Sequence, residues 1–369
     1  TFEARSPVAV AGGRTLVQLA SGPDYTCGLD ASGDAFCWGG NSRGQLGNGT
    51  TSDASSPEAV EGGLSFTQVV SGFAHTCGLD AAGLAYCWGN NGNGQLGNGT
   101  TSFSPATTPD PVVGGIAFEQ ISAGGFHTCG IRAGGDAFCW GANQVGQLGT
   151  GAGAQASSPV PVNGGIAFER LVAGEQHTCG LDMMGAAFCW GGNEAGQLGD
   201  GSLATATSPV PVAGGLSFER LAGGEAHTCG LDAGGTAYCW GANASGQLGD
   251  GGTTGALSPV AVTGGIRFGD IASGRLHTCA TEATGTAFCW GENFAAQLGD
   301  GSVADTPSPV PVSGGLSFAQ IAPGNAHTCG IDTSGTAYCW GSNGSGQLGL
   351  GNVGVSLRSA PTATAPFGT

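Results

Sequence analysis

Between residues 208 and 249 the chain reads Ser208–Pro209–Val210–Pro211–Val212, then Leu216–Ser217–Phe218–Glu219–Arg220–Leu221, then His227–Thr228–Cys229–Gly230–Leu231–Asp232, then Ala237–Tyr238–Cys239–Trp240–Gly241, and closes on Asn243 to Gly249. Four short β-prone runs alternate here with Gly-bearing turns. The same text recurs along the chain. Its tryptophan falls at Trp38, Trp88, Trp140, Trp190, Trp240, Trp290 and Trp340, with spacings of 50, 52, 50, 50, 50 and 50 residues. We name the runs A (216–222), B (226–232), C (236–241) and D (208–212 and its copies). Four antiparallel strands per unit, repeated seven times, predict an all-β, seven-bladed β-propeller in which the units close a ring. An open solenoid would need capping ends and usually shorter coils. The expected domain spans 1–369, with 351–369 a tail or a closing strand.

Composition agrees with many short strands. Gly accounts for 75 of 369 residues, charged residues for 9%, and all nine basic residues are Arg. Such a chain forms few long helices. The net charge of −17 speaks against nucleic acid and anionic membranes, because a phosphate-binding surface needs clustered Lys and Arg. No run of 18 apolar residues is present to span a membrane. Repeat sequence begins almost at Thr1, as expected if an export signal or a preceding region has been removed.

The strings Gly-x-x-His-Thr, Trp-Gly-x-Asn and Gly-Gln-Leu-Gly resemble the repeat signature of the regulator of chromosome condensation family, over roughly residues 5–350. The likeness is to its secreted, bacterial-like propellers, and it implies the same seven-bladed ring. It does not imply one function, since that family includes exchange factors, light sensors and enzyme inhibitors. The light-sensing relatives carry extra Trp just before the His-Thr pair. Here those positions hold none, which opposes photoreception. Exchange-factor relatives insert a wedge into one blade, whereas this period varies by only two residues.

Ring closure has two candidates. Ser6–Pro7–Val8–Ala9–Val10 is a D run placed before the first A run, and it keeps the Val pattern. It is expected to complete the last blade, whose other strands lie at 316–341. Ala360–Pro361–Thr362–Ala363–Thr364 is a weaker rival for that place, and the surplus segment could link copies by strand addition.

Each unit holds one Cys-x9-Cys pair: Cys27/Cys37, Cys77/Cys87, Cys129/Cys139, Cys179/Cys189, Cys229/Cys239, Cys279/Cys289 and Cys329/Cys339. Asp-x-x-Gly between them, as in Asp30–Ala31–Ser32–Gly33, predicts a type I turn whose Gly takes positive φ and makes a bulge. Counting outward from Asp30 facing Asp34 sets Cys27 opposite Cys37 on a non-hydrogen-bonded pair, and the same count is expected in every blade. There the Cα atoms approach to about 4.5 Å, within reach of a disulfide. The alternatives are buried free thiols and metal, the second opposed because zinc sites bring Cys two to four residues apart. Each bridge would close a loop worth at most about 2.7 kcal/mol in the chain-entropy model. Seven of them place the protein outside a reducing cytoplasm, secreted or at a cell surface.

His75, His127, His177, His227, His277 and His327 occupy one repeat position, taken by Tyr25 in the first unit. One per blade is too wide a spacing for a shared metal shell, so each is expected to hydrogen-bond a neighbouring turn. Asn41 and its copies read as turn supports, the following Gln as a partner of loop backbone, and Leu46 as the loop's anchor. Asp-Gly steps offer too few carboxylates for calcium. Asn48–Gly49–Thr50 and Asn98–Gly99–Thr100 match glycosylation acceptors. No metal, cofactor or catalytic group is expected: the chain has no nucleophile elbow, phosphate loop or carboxylate pair unique to one blade.

A–B and C–D loops should share one face of the disc, B–C and D–A turns the other. The A–B tips and the stretch after Gly-Gln-Leu-Gly differ freely among the seven units, whereas the B–C turn barely varies. The variable face is therefore the expected binding surface, with Phe73, Phe126, Arg275, Leu276 and Phe294 as its anchors. The chain reads as a non-catalytic extracytoplasmic binding or adhesion scaffold for a protein or cell-surface partner. A self-assembling structural subunit and a secreted inhibitor of the β-lactamase-inhibitor type are the other readings.

Overall fold

In the computed structural model, which describes residues 3–353, seven four-stranded antiparallel sheets follow one another around a ring. Blade one comprises A (Gln18–Ser21), B (Tyr25–Leu29), C (Ala35–Gly39) and D (Ala54–Ala59), and the later blades repeat this order. The A strands of neighbouring blades touch around the axis, so D is outermost. The N-terminal strand Glu3–Ala9 supplies the D strand of blade seven, with Glu3 opposite Ser342 and Val8 opposite Cys339. The competing segment 360–364 lies outside the described residues.

The hairpin chemistry sets the B–C pairing. Asp30 N–H donates to the Asp34 carbonyl, Gly33 N–H returns to the Asp30 carbonyl, and the Asp30 carboxylate accepts from Ser32 N–H. Gly33 takes φ +83°, which a side chain would resist. Cys27 consequently faces Cys37, with Cα atoms 4.1 Å apart. All seven predicted pairs are disulfide-bonded: Cys27–Cys37, Cys77–Cys87, Cys129–Cys139, Cys179–Cys189, Cys229–Cys239, Cys279–Cys289 and Cys329–Cys339.

Two of these hairpins correct the Asp-x-x-Gly rule. Arg132 stands in place of the Asp in the turn before Cys139, and Glu282 does so before Cys289. Their side chains do not make the inward bond of Asp30, yet Arg132 N–H still reaches the Asp136 carbonyl and Glu282 N–H the Thr286 carbonyl. Cys129 therefore faces Cys139, and Cys279 faces Cys289, in the same register as elsewhere. The backbone turn with its positive-φ Gly, at Gly135 and Gly285, fixes the register. The Asp carboxylate only supports it.

D strands start earlier than their sequence suggests. In blade four Cys189 faces Val210 and Gly191 faces Ala206, so the D strand bulges between them. Ser208–Pro209 sits in that bulge on an edge strand, where a missing N–H is tolerated. A strands also start later in some blades: residues 216–219 of blade five lie outside its A strand, Arg220–Gly223. Phe218 there donates its N–H to the Gly185 carbonyl, so the hairpin turn of one blade clamps the entry of the next.

The core lies between blades. The Cys77–Cys87 bridge, Leu79 and Leu96 of blade two pack on Phe118, Ile121 and Trp140 of blade three, and the other interfaces repeat this. Phe118 and Trp140 stack at 5.7 Å between centroids. A methyl at Gly130 would stand 2.6 Å from the Phe118 ring, which favours Gly after the first Cys, although blade six accommodates Ala280 there. The two extra residues between Trp88 and Trp140 are absorbed by blade two's D strand, which runs ten residues, Ser102–Pro111, and pairs out to Asn91.

Candidate protein-docking face

The repeated residues are used up in joining blades. Asn41 holds its loop closed: its amide donates to Asn48 Oδ1 and to the Thr50 and Ser52 carbonyls, while its Oδ1 accepts from Leu46 N–H. The Gln45 side chain accepts from Arg43 N–H, as loop chemistry predicts, and Leu46 is fully buried. The Gln45 carbonyl then reaches the next blade, accepting from Trp88 Nε1 at 2.9 Å and Thr76 Oγ1 at 2.8 Å. Each Gly-Gln-Leu-Gly loop is thus a hook over the following blade, round to Gln347, which takes Trp38.

The cysteines lie in the core and take no part in a surface site. Cys139, with Cys129, packs against Leu148, Phe168 and Trp190, and Cys289, with Cys279, against Phe318 and Trp340. All fourteen cysteines are fully buried.

The histidines belong to the blade-to-blade lock, with a partner other than the expected turn. His75 Nε2 lies 2.9 Å from Thr128 Oγ1 of the next blade. Thr128 has one hydroxyl proton and gives it to the Gln95 carbonyl at 3.0 Å, so it accepts from His75 Nε2–H. That leaves Nδ1 unprotonated and, among the described residues, without a partner in all six histidines. Complete burial lowers these imidazoles to about 4 at His75, His177 and His327 and to about 3 at His127, His227 and His277. They are neutral supports. Tyr25 does the equivalent work in blade one by donating to the His75 carbonyl.

Outside this lock lies the face where A–B tips crowd around the axis. Glycines at the tips form a collar, and backbone bonds cross from blade to blade, as from Glu225 N–H to the Arg275 carbonyl. Within this mouth Phe73 is 40% exposed, and its ring lies 5.4 Å from that of half-buried Phe126 on blade three. Across the mouth Arg275 bonds Glu225 at 2.9 Å and stands 4.0 Å from Glu175. Burial and then the neighbouring Glu225 hold the Glu175 carboxyl above its ordinary range. Burial and Asp305 do the same for Glu292.

Of the five anchors expected from sequence, Phe73 and Arg275 line the mouth and Phe126 backs Phe73. Leu276, half-buried, and Phe294, 59% exposed, lie on blade six outside that lining. Three features escaped the sequence reading. Phe103 is 85% exposed on the lengthened hairpin of blade two, which the 52-residue spacing had marked as different. Glu175 and Glu225 share one arginine. Ser273, in the mouth's wall, buries an Oγ without a partner among the described residues, whereas Ser21 and Ser71 donate to the Ala322 and Ala20 carbonyls.

The sequence profile of the RCC1-like domain matches residues 3–269. The chain belongs to the RCC1-like family. Regulator of chromosome condensation (RCC1) repeats account for further stretches of this RCC1-like propeller, at 270–297 and 318–347 and at 284–331 and 334–367. No curated protein matches it by sequence. Among solved structures it is similar to Prp20p from Saccharomyces cerevisiae, at 22% identity over 88% of this chain and 82% of that one, with TM-score 0.76. Human WBSCR16 gives 22% identity, coverage of 89% and 86%, and TM-score 0.78. The CRINKLY WD40 ectodomain of the Arabidopsis thaliana receptor kinase ACR4 gives 23%, coverage of 92% and 98%, and TM-score 0.58. At these identities the likeness concerns the fold.

Proposed function

We propose that this RCC1-like propeller is a non-catalytic protein-binding scaffold that works outside the reducing cytoplasm and docks its partner on the face of A–B tips and C–D loops. One observation carries the reading: the repeated polar and aromatic residues are consumed by the blade-to-blade lock, so chemical variety is left at this face. Phe73, Phe126, Arg275, Leu276 and Phe294 are its anchors, joined by Phe103. A protein is the partner class favoured, because a net charge of −17 repels nucleic acid. The Prp20p structure is likewise described with binding to proteins, Gsp1p and histones. Seven disulfides, with no free cysteine among the described residues, support an oxidising compartment and a secreted or cell-surface setting. Linking copies by strand addition loses its N-terminal candidate, since Glu3–Ala9 pairs within its own ring.

Cross-linking capture from the native extracellular milieu tests the reading. Phe73→Ala/Phe126→Ala should abolish capture of the partner, and Met183→Ser/Met184→Ser on the opposite face should leave it intact. The reverse pattern, or recovery of the protein only in the cytosol with reactive thiols, would refute it.

A further inference from the structure

The docking face is chemically divided into sectors. In blades four to six the tips (175–176, 225–226, 275–276) and the C–D loops (192–205, 242–255, 292–305) hold eight carboxylates and one arginine. The corresponding tips and loops of blades two and three (73–74, 125–126, 90–101, 142–155) hold no charge at all. That neutral sector instead presents the Phe73–Phe126 pair and, on its long hairpin, Phe103. Both sectors open on one concave mouth, with Phe73 on one side and Glu175, Glu225 and Ser273 on the other.

Inside the mouth the polar side is incomplete. Among the described residues Arg275 is the single cation shared by Glu175 and Glu225, so their corner keeps a net negative charge. Glu292 and Asp305 of the adjoining loop add to the field there. The Ser273 hydroxyl, buried in the same wall, lacks among the described residues the hydrogen bond that its counterparts on blades one and two make. A donor carrying positive charge satisfies both conditions, since it can give one N–H to the serine oxygen and neutralise the surplus carboxylate. An anion would add to the surplus negative charge of the carboxylates.

Resting on the protein-docking reading above, we propose that the mouth takes a basic loop of the partner protein, its Arg or Lys entering beside Glu175 and Ser273 while flanking apolar side chains lie on Phe73, Phe126 and Phe103. The acidic sector steers the loop and selects its charge. The aromatic sector supplies the desolvated contact that slows its release.

Titration calorimetry of the intact protein with three synthetic peptides, one alternating Arg and Leu, one Arg and Gly, and one Glu and Leu, tests this. The Arg–Leu peptide should bind saturably and weaken as salt rises, and the Glu–Leu peptide should not bind. Glu175→Gln/Glu225→Gln should weaken the Arg–Leu peptide by about tenfold or more, and Ser273→Ala should weaken it less. Phe73→Ala/Phe126→Ala should weaken the Arg–Leu peptide and spare the Arg–Gly one. Equal or tighter binding of the Glu–Leu peptide, affinity indifferent to the Glu→Gln changes, or no saturation by Arg–Leu below about 1 mM would overturn the assignment. In those cases partner capture that still depends on Phe73 and Phe126 leaves the docking face standing with a different partner chemistry. Capture indifferent to both phenylalanines removes the docking reading itself.

Discussion

Ala296 occupies the left-handed region at φ +64°, where the equivalent loop position in the other blades holds Gly, from Gly44 at +74° to Gly346 at +85°. It is fully buried, so its methyl group has been fitted in, but the backbone strain of an L-residue there costs about 1–2 kcal/mol. Ala296→Gly should relieve that strain, less the chain entropy a glycine adds, and raise stability by about 0.5–1 kcal/mol. A higher urea midpoint at unchanged slope is the expected result, and a lower midpoint would mean that the methyl's packing outweighs the strain. At this scale the sequence was legible wherever a residue acts on its own neighbours. Asp30, Gly33, Asn41 and Leu46 all do what turn chemistry asks of them. His75 was not, because its partner Thr128 belongs to a strand 53 residues away on the next blade.

A second belt joins the A strands, and it is uneven. Gln120 donates to the Leu171 carbonyl at 2.8 Å and accepts from Leu171 N–H at 3.0 Å, so one side chain pairs with the next blade's backbone on both sides. Gln18, Gln68 and Gln320 do the same, which ties together blades seven, one, two, three and four. Blades four, five and six carry Arg170, Arg220 and Asp270 at that position. Arg220 makes only an exposed contact to Gly269 and Asp270 across its interface. Gln120→Ala strands an N–H and a carbonyl and should cost about 1–3 kcal/mol. Arg170→Ala, at an exposed side chain, should fall within about 0.5 kcal/mol of the parent. Comparable losses from the two changes would show that the glutamine pairs contribute nothing. The bidentate role of these glutamines is invisible in sequence, since Gln at one A-strand position names no partner until two blades are set side by side.

For the whole molecule the neutral histidines set an acid limit. Six imidazoles sit at about 3 to 4 when folded and titrate near 6.5 when the chain is unfolded. Their contribution to stability is complete above that unfolded value. Below it the unfolded chain binds protons that the folded ring refuses, so stability falls with pH until the folded values are reached. Each histidine costs up to about 1.4 kcal/mol per pH unit in this range. Urea midpoints should therefore fall steeply between about pH 7 and pH 5 with all disulfides intact. A flat profile over that interval would show the imidazoles to be solvated.

Local periodicity, turn residues and the Cys spacing by themselves determined the hairpins, their sulfur pairing and the number of blades, and they narrowed the strand that closes the ring to two candidates, of which the structure pairs the N-terminal one. Those features depend on contacts within a few residues or on the repetition of one unit. Closing the ring decided the rest. It hung each Gln45-type carbonyl on the next blade's Trp and Thr, and it set Arg275 between glutamates 50 and 100 residues away. It also brought Phe73 against Phe126 and left Ser273 without a partner among the described residues in the mouth. Such neighbours are distant in the chain, and only the packing of blades around a common axis makes them adjacent.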